Sequence, residues 1–346
     1  MKIRYLTFVL IFFLILFSSF IGISSYRELT MPKTLSIYAP ENFIPDYLVK
    51  EFYESSRIKI EVTTYVNEVD FFEEIESGAS YDLILCNDYL TYNLKEQEKL
   101  KKINKIKLKN YKYLDSTYLN NEFDLKNKYS VPYLFGTIGI YINTDKFQLQ
   151  GPLSWIILCD PLYLGNTSIL DSPYELMSMM SLISLGKTFP ENENDFLILK
   201  NFILNKTYLP QKIPYSELGK YLENNSLIFA GGRNGYLSEK TEFVIPKEGG
   251  IRWLQSFVIP KNSKNVLGSY IFIDYVLEPK TQASIANTYN LGSPNKKSLD
   301  YILSSNLENQ EIYPLQSDFD RLRYSEHLHN QSLEEKYEEI IMILSN

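Results

Sequence analysis

The sequence predicts an α/β protein of two domains. From Leu35 onward, strand-like and helix-like stretches alternate in a βαβαβ pattern without internal repeats. Such a pattern predicts an open parallel sheet whose ligand sites lie beyond the carboxyl ends of its strands. About 320 residues follow the N-terminal apolar run, too many for one simple core and enough for two.

The chain opens on Lys2 and Arg4 and then an apolar run, Leu6 to Ile23, interrupted only by Thr7, Ser18 and Ser19. Basic residues, an apolar stretch and small residues at Gly22 and Ser24 form an export signal over residues 1–24, cleaved after Ser24. About 18 residues is also the lower limit for spanning a bilayer, so an uncleaved anchor is the competing reading. No Cys follows the run, which excludes a lipid-modified N-terminus.

Leu35 to Tyr38 reads as a strand, Pro45 to Ser55 as a helix burying Leu48 and Phe52, and Ile58 to Tyr65 as a second strand. Asn67 then caps a helix in which Phe71, Phe72 and Ile75 fall at helical spacing before Gly78 ends it. Tyr81 to Leu85 is apolar apart from its Asp, as strands buried on both faces are. Tyr129 to Asn143 is a long strand broken at Gly136, suited to a hinge. Ser154-Trp155 opens a short helix. Ser172, Pro173 and Glu175 form a capping box with Pro at the first helical position, opening a helix to Leu185. Ser226 to Gly232 reads as a strand, with Arg233 in the loop after it, and Val266 to Leu277 as a helix. Between Pro246 and Pro260, Gly249-Gly250 turns the chain into a strand that sets Trp253 and Gln255 on one face, Arg252 and Leu254 on the other. Ser332 to Leu344 reads as a terminal helix packing Leu333, Tyr337, Ile340 and Ile341.

Composition narrows the function classes. A net charge of −7 argues against a nucleic-acid partner, which requires a clustered basic surface. Cys86 and Cys159 are too few for a disulfide framework and read as free, buried thiols. No metal-ligand spacing occurs, and the two histidines, His327 and His329, lie near the C-terminus, so no metal or cofactor is expected. There is no nucleophile elbow, no phosphate-binding loop and no His paired with a nucleophile, so no enzyme is expected either.

Tyr38 to Tyr47 (YAPENFIPDY), Tyr81 to Leu85 (YDLIL) and Tyr129 to Asn143 (YSVPYLFGTIGIYIN) resemble stretches of one family, in its order. So do Ser154-Trp155, Pro161 to Gly165 (PLYLG), Asp171 to Glu175 (DSPYE), the Trp253 stretch and Ser293-Pro294-Asn295. From Leu35 to the C-terminus the chain resembles the periplasmic spermidine/putrescine-binding proteins, solute receptors of polyamine ABC transporters. The resemblance implies a two-lobed periplasmic binding protein fold with a hinge and an interlobe ligand cleft. Lobe 1 would comprise residues 33–136 plus 255–299, and lobe 2 residues 140–252 plus 303–346. It also implies a periplasmic receptor, tethered if the N-terminal segment is kept, that acts as a monomer with ABC permease subunits as partners.

A polyamine is a methylene chain with separated ammonium groups, so its receptor needs carboxylates at the amines and aromatic faces along the stem. The resemblance carries over Trp253, Tyr89 and Glu175, with Glu175 open between ligand and cap. The rest of the implied set is Glu41, Phe43, Asn87, Asp88, Ser172, Gln255, Leu291 and His327. Several of these depart from the family: Gln255 and Ser172 replace carboxylates, Leu291 replaces a Tyr, Gly231-Gly232 replaces a Trp-containing segment, and one ring is lost around Phe43. Two outcomes fit. Either Glu41, Asp88, Asp171 and Glu175 rebuild a polyamine site, or the ligand differs and Arg233 faces an anionic group. A membrane-tethered solute sensor is the remaining alternative.

Overall fold

The computed structural model describes residues 33–205, 209–236, 238–324 and 334–345. The export or anchor segment, 1–24, lies outside the described residues, as do His327, His329 and Leu333. Strand β1 (Thr34–Pro40), helix α1 (Asp46–Ser56), β2 (Lys59–Tyr65), α2 (Glu68–Glu76), β3 (Leu83–Cys86) and α3 (Asp88–Glu96) realise the expected alternation. β1 lies between β2 and β3 and is parallel to both. Leu48 and Phe52 are the buried residues of α1. The Phe52 ring meets Phe272 edge-on at 5.0 Å, joining α1 to α7 (Val266–Val276). Asn67 caps α2, its side chain accepting from the Asp70 amide at 2.9 Å.

Beyond these strands the sheet is mixed, not parallel. Its order is β2-β1-β3-β9-β4-β7-β5-β6, where β4 is Ser130–Asn143, β5 Thr167–Ile169, β6 Gln211–Lys212, β7 Phe229–Arg233 and β9 Gly250–Val258. β9 enters between β3 and β4 antiparallel to both, because it returns the chain from the second group of strands to the first. β4 pairs with β9 over Ser130–Ile138 and with β7 over Ile138–Ile142, so these two long strands bind both groups together. β8 (Thr241–Val244) takes the edge of β4 that β9 leaves.

β4 is continuous through Gly136; the expected break is absent. The reason for glycine there is packing, since a Cβ at Gly136 would lie 2.3 Å from Trp253 Cζ2 and 2.4 Å from Asn234 Oδ1. The irregularity of β4 falls earlier, a register shift between Pro132 and Leu134. Gly249 takes a φ of +104°, the left-handed turn that starts β9.

Helix α4 (Pro173–Leu185) begins at the Ser172 cap, and α5 (Glu193–Leu204) packs beside it. The terminal helix, Glu334–Ser345, follows on this side. Tyr337 stacks edge-on against Phe196 at 4.7 Å and donates to the Pro190 carbonyl at 2.7 Å, while Ile340 is buried. Helix α6 (Tyr215–Glu223) connects β6 to β7, and α8 (Pro279–Tyr289) follows α7. Cys86 and Cys159 are buried and not joined in a disulfide, and burial pushes the Cys86 thiol up to about 12.

Candidate functional site

The carboxyl ends of β1, β2 and β3 face the start of α4 and the end of β7 across a cavity of about 330 Å³. Glu68 and Asn87 line it from one side, Asp171, Ser172 and Arg233 from the other, and Gln255 from the crossing strand β9. The two sides touch. Ser172 Oγ lies 3.4 Å from Glu68 Oε2, and the rings of Tyr89 and Tyr174 are 4.4 Å apart. Burial, followed by the neighbouring Tyr174, raises the Tyr89 phenol well above its ordinary range.

Glu175 is buried in the first turn of α4, and its carboxylate is fully engaged within the protein. Oε1 accepts from Arg233 Nε at 2.9 Å and Nη2 at 2.7 Å, and Oε2 accepts from the Tyr215 hydroxyl. Neither sequence reading of its side chain describes this arrangement. Ser172 does cap the helix, its Oγ accepting from the Glu175 amide at 3.5 Å, but the reciprocal half of a capping box is not made because the carboxylate turns to Arg233. Arg233 is the last residue of β7 rather than part of a loop. Its guanidinium lies 5.1 Å from the Tyr215 ring and 5.9 Å from the Trp253 ring. Burial lowers its basicity, and Glu175, Tyr215 and Glu68 outweigh that, so it stays firmly charged. A cation already held by a carboxylate offers little to an anionic solute, which removes the main support for that reading.

Two carboxylates remain at the cleft. Asp171 is half-buried; burial and then the Glu175 charge raise its pKa, against Arg233 and Lys212. Lys212, from β6, is lowered by burial and raised by Asp171, and its Nζ donates to the Leu344 carbonyl. Glu68, 7% exposed in the first turn of α2, is raised by burial and then by Glu175, with Arg233 opposing. Sequence reasoning missed Glu68 and Tyr215. Glu68 follows the carboxyl end of β2, where the βαβαβ alternation places ligand sites.

Trp253 is 4% exposed, set between Phe43, whose ring is 6.1 Å away, and Gly136. Phe43 also stacks on Tyr289 at 5.9 Å. Trp253 and Gln255 share a face of β9, as the alternation predicts, while Arg252 on the other face lies over the Tyr324 ring at 4.0 Å. Gln255 is 2% exposed, and its Oε1 and Trp253 Nε1 are buried without hydrogen-bond partners. Phe43, Tyr89, Trp253, Glu41, Asp88 and Leu291 are not among the residues that line the cavity. Asp88 is buried with Oδ1 accepting from the Leu254 amide at 3.3 Å, so it supports β9. Glu41 is exposed on the turn after β1, with its amide donating to the Tyr65 carbonyl at 3.0 Å. Leu291 is packed in the core. These residues were implied by the resemblance, which fixes neither the direction of a side chain nor its distance from the cleft.

Residues 41–167 match the family model described as bacterial extracellular solute-binding protein. The chain is similar to the spermidine/putrescine-binding periplasmic protein of Escherichia coli (strain K12), with 28% identity over 292 residues, 81% of this chain and 83% of that one. It is similar to spermidine/putrescine-binding periplasmic protein 1 of Haemophilus influenzae, 27% identical over 307 residues and covering 81% of each. Among solved structures, a protein of Listeria monocytogenes described as a spermidine/putrescine ABC transporter superposes with a TM-score of 0.82. It is 28% identical, with 90% of this chain and 98% of that one covered. A spermidine/putrescine substrate-binding protein of Streptococcus pneumoniae, 23% identical, shares the fold with a TM-score of 0.75. With its crossing strands, its cleft at the strand ends and these likenesses over most of its length, the chain has the two-lobed α/β fold of periplasmic binding proteins and is similar to the bacterial extracellular solute-binding proteins.

Proposed function

We propose that this protein is an extracytoplasmic solute receptor that binds a solute of the spermidine/putrescine class between its lobes and delivers it to an ABC permease. One observation carries the choice of ligand: the cavity at the strand ends holds Glu68 and Asp171 beside Gln255, whose Oε1 is a buried acceptor without a hydrogen-bond partner. Carboxylates attract an amine, and an enclosed acceptor without a donor suits the N–H of one. The names carried by its relatives support the same class. They also support a periplasmic place and a role in binding rather than catalysis.

In this reading lobe 1 comprises 33–136 plus 255–299 and lobe 2 comprises 140–252 plus 303–346, and β4 and β9 are the hinge strands. Asn87, Ser172 and Gln255 are the polar contacts, and Phe43, Tyr89 and Trp253 are the aromatic residues behind them that reach the solute. Glu175 acts indirectly, by fixing Arg233. The permease would dock on the closed form, because the solute binds only where both lobes reach it and so favours closure. The receptor works as a monomer, with residues 1–24 serving for export or as a tether.

Calorimetric titration of residues 25–346, freed of bound solute by unfolding and refolding, tests the function. Putrescine, spermidine or a mono-substituted derivative should release heat on binding, and Trp253→Ala should remove it. An absence of heat and of thermal shift with all of these amines would refute the proposed ligand class.

A further inference from the structure

In a chain of net charge −7, residues 99–128 hold nine lysines and three acids. Lys102, Lys107, Lys109, Lys112, Lys126 and Lys128 are exposed. Among the described residues no lysine of this stretch has a carboxylate within 4.0 Å of its ammonium, whereas Lys95 and Lys261 beside it pair with Glu96 and Glu98. The local acids are engaged elsewhere. Asp124 is 1% exposed and accepts from the amides of Lys128, Tyr129 and Ser130, and Asp115 accepts from the Thr117 amide at 2.8 Å. Asp274, from α7, accepts from the Asn110 amide at 2.8 Å. That leaves Glu122 as the exposed acid of the stretch.

The basic surface has an apolar apex. Lys105–Lys107 is a single 3-10 turn capped by Asn104, whose Oδ1 accepts from the Ile106 amide at 3.2 Å. Ile106 is 93% exposed. On either side of it the lysines are laid against rings, Lys105 5.0 Å from Tyr111 and Lys107 5.0 Å from Tyr270. Lys105 Nζ also donates to the Lys126 carbonyl, which brings in Leu125, 61% exposed. The Ile103 amide donates to the Lys128 carbonyl at 2.8 Å, so Lys128 borders the same surface. One bare apolar side chain needs no explanation. Two of them in a collar of unpaired lysines suit an anionic bilayer, where apolar tips enter the headgroup layer while ammonium groups meet phosphates. A soluble polyanion would leave Ile106 in water.

The surface lies opposite the cleft. The Lys101 amide donates to the carbonyl of Ile259, which follows β9, and Val258 of β9 pairs with Ile84 at the start of β3. The lysines therefore gather at the amino ends of the strands, and the cleft opens at the carboxyl ends. The chain enters β1 at this same end. The Thr34 carbonyl accepts from Asn265, the cap of α7, and Tyr270 of α7 accepts from the Asn104 amide at 2.7 Å. Ile23, the last residue of the apolar run, precedes Lys33 by ten residues, a reach of at most about 35 Å.

We propose that lobe 1 rests on an anionic bilayer through Ile106, Leu125 and the surrounding lysines. The cleft then faces away from the bilayer and stays open to solute. The contact does not depend on which solute the cleft takes.

Hydrogen exchange of the full chain on vesicles tests this, with phosphatidylcholine alone compared with an equal mixture of phosphatidylcholine and phosphatidylglycerol. In the mixed vesicles, amide exchange over residues 102–109 and 123–128 should slow at least about tenfold, and high salt should reverse the effect. A lysine near an anionic leaflet is worth about fivefold, so combining Lys107→Gln, Lys126→Gln and Lys128→Gln should weaken docking by about 100-fold. The triple variant should melt near the parent's temperature, because all three side chains are exposed. Ile106→Ser, which keeps every charge, should weaken docking about tenfold. Equal exchange on the two kinds of vesicle would overturn the proposal, as would slowing that survives the triple variant. Slowing by soluble polyglutamate equal to that by the mixed vesicles, and unchanged in Ile106→Ser, would assign the surface to an acidic protein and overturn the bilayer contact.

Discussion

At the scale of residues, charge in this cleft is decided by pairing rather than by counting. Glu175 is committed to Arg233 and Tyr215, and what remains for a solute is Glu68 with a share of Asp171. Glu311, half-buried, shows what a carboxylate without a cation beside it does to stability. Its Oε2 has no hydrogen-bond partner, and burial raises its pKa to about 7, with the Phe243 amide opposing and Glu242 adding. The folded chain therefore holds this proton more tightly than the unfolded chain. The contribution to stability is complete below the ordinary value of 4.5 and is lost as the pH rises through about 7. Glu311→Gln removes the titration. Discounted for its partial exposure, the variant should be more stable than the parent by about 1–2 kcal/mol above about pH 8 and equal to it below about pH 4. Urea unfolding at the two pH values checks this.

At the scale of elements, β4 and β9 make the site possible, since their antiparallel pairing carries Trp253 and Gln255 past Gly136 and Leu134. Gly136 is where that pairing is tightest. Gly136→Ala would drive a methyl into the Trp253 ring, 2.3 Å away before any shift, and would crowd Asn234. Asn234 ties the end of β7 to β4, its Oδ1 accepting from the Thr137 amide at 2.8 Å. The substitution should destabilise the protein by about 1–3 kcal/mol, the usual range for overpacking a filled core. It should also weaken solute binding, because Trp253 must leave its place. Thermal melting and Trp fluorescence, with Trp253→Phe to separate its signal from that of Trp155, would reveal both effects.

At the scale of the whole molecule, the two sides of the cleft touch where Glu68 meets Ser172 and where Tyr89 meets Tyr174. The Glu68 contact is a long hydrogen bond to a neutral hydroxyl, too weak to hold the lobes by itself. Bound solute should supply the rest. Small-angle scattering should therefore record a smaller radius of gyration with the solute than without it, and Ser172→Ala should leave the liganded value unchanged. An equal radius in both states would mean that the closed arrangement needs no solute.

The sequence by itself determined the elements whose causes are local. The alternation through Leu85, the Asn67 and Ser172 caps, the turn at Gly249 and the facial split of Trp253 from Arg252 all follow from periodicity, capping chemistry and backbone freedom. Resemblance along the chain added the two-lobed fold. The tertiary structure alone decided the rest of the site. Glu68 and Glu175 are over 100 residues apart in the chain, and Glu175 meets Arg233 58 residues later, so their pairing rests on how β2, α4 and β7 converge. Nor could local pattern tell that Gly136 yields to a Trp ring rather than breaking a strand, or that Asp88 turns to the β9 backbone. Each is set by what another element places opposite, and a charge in a cleft acts on a solute only after its neighbours inside the protein have taken their share.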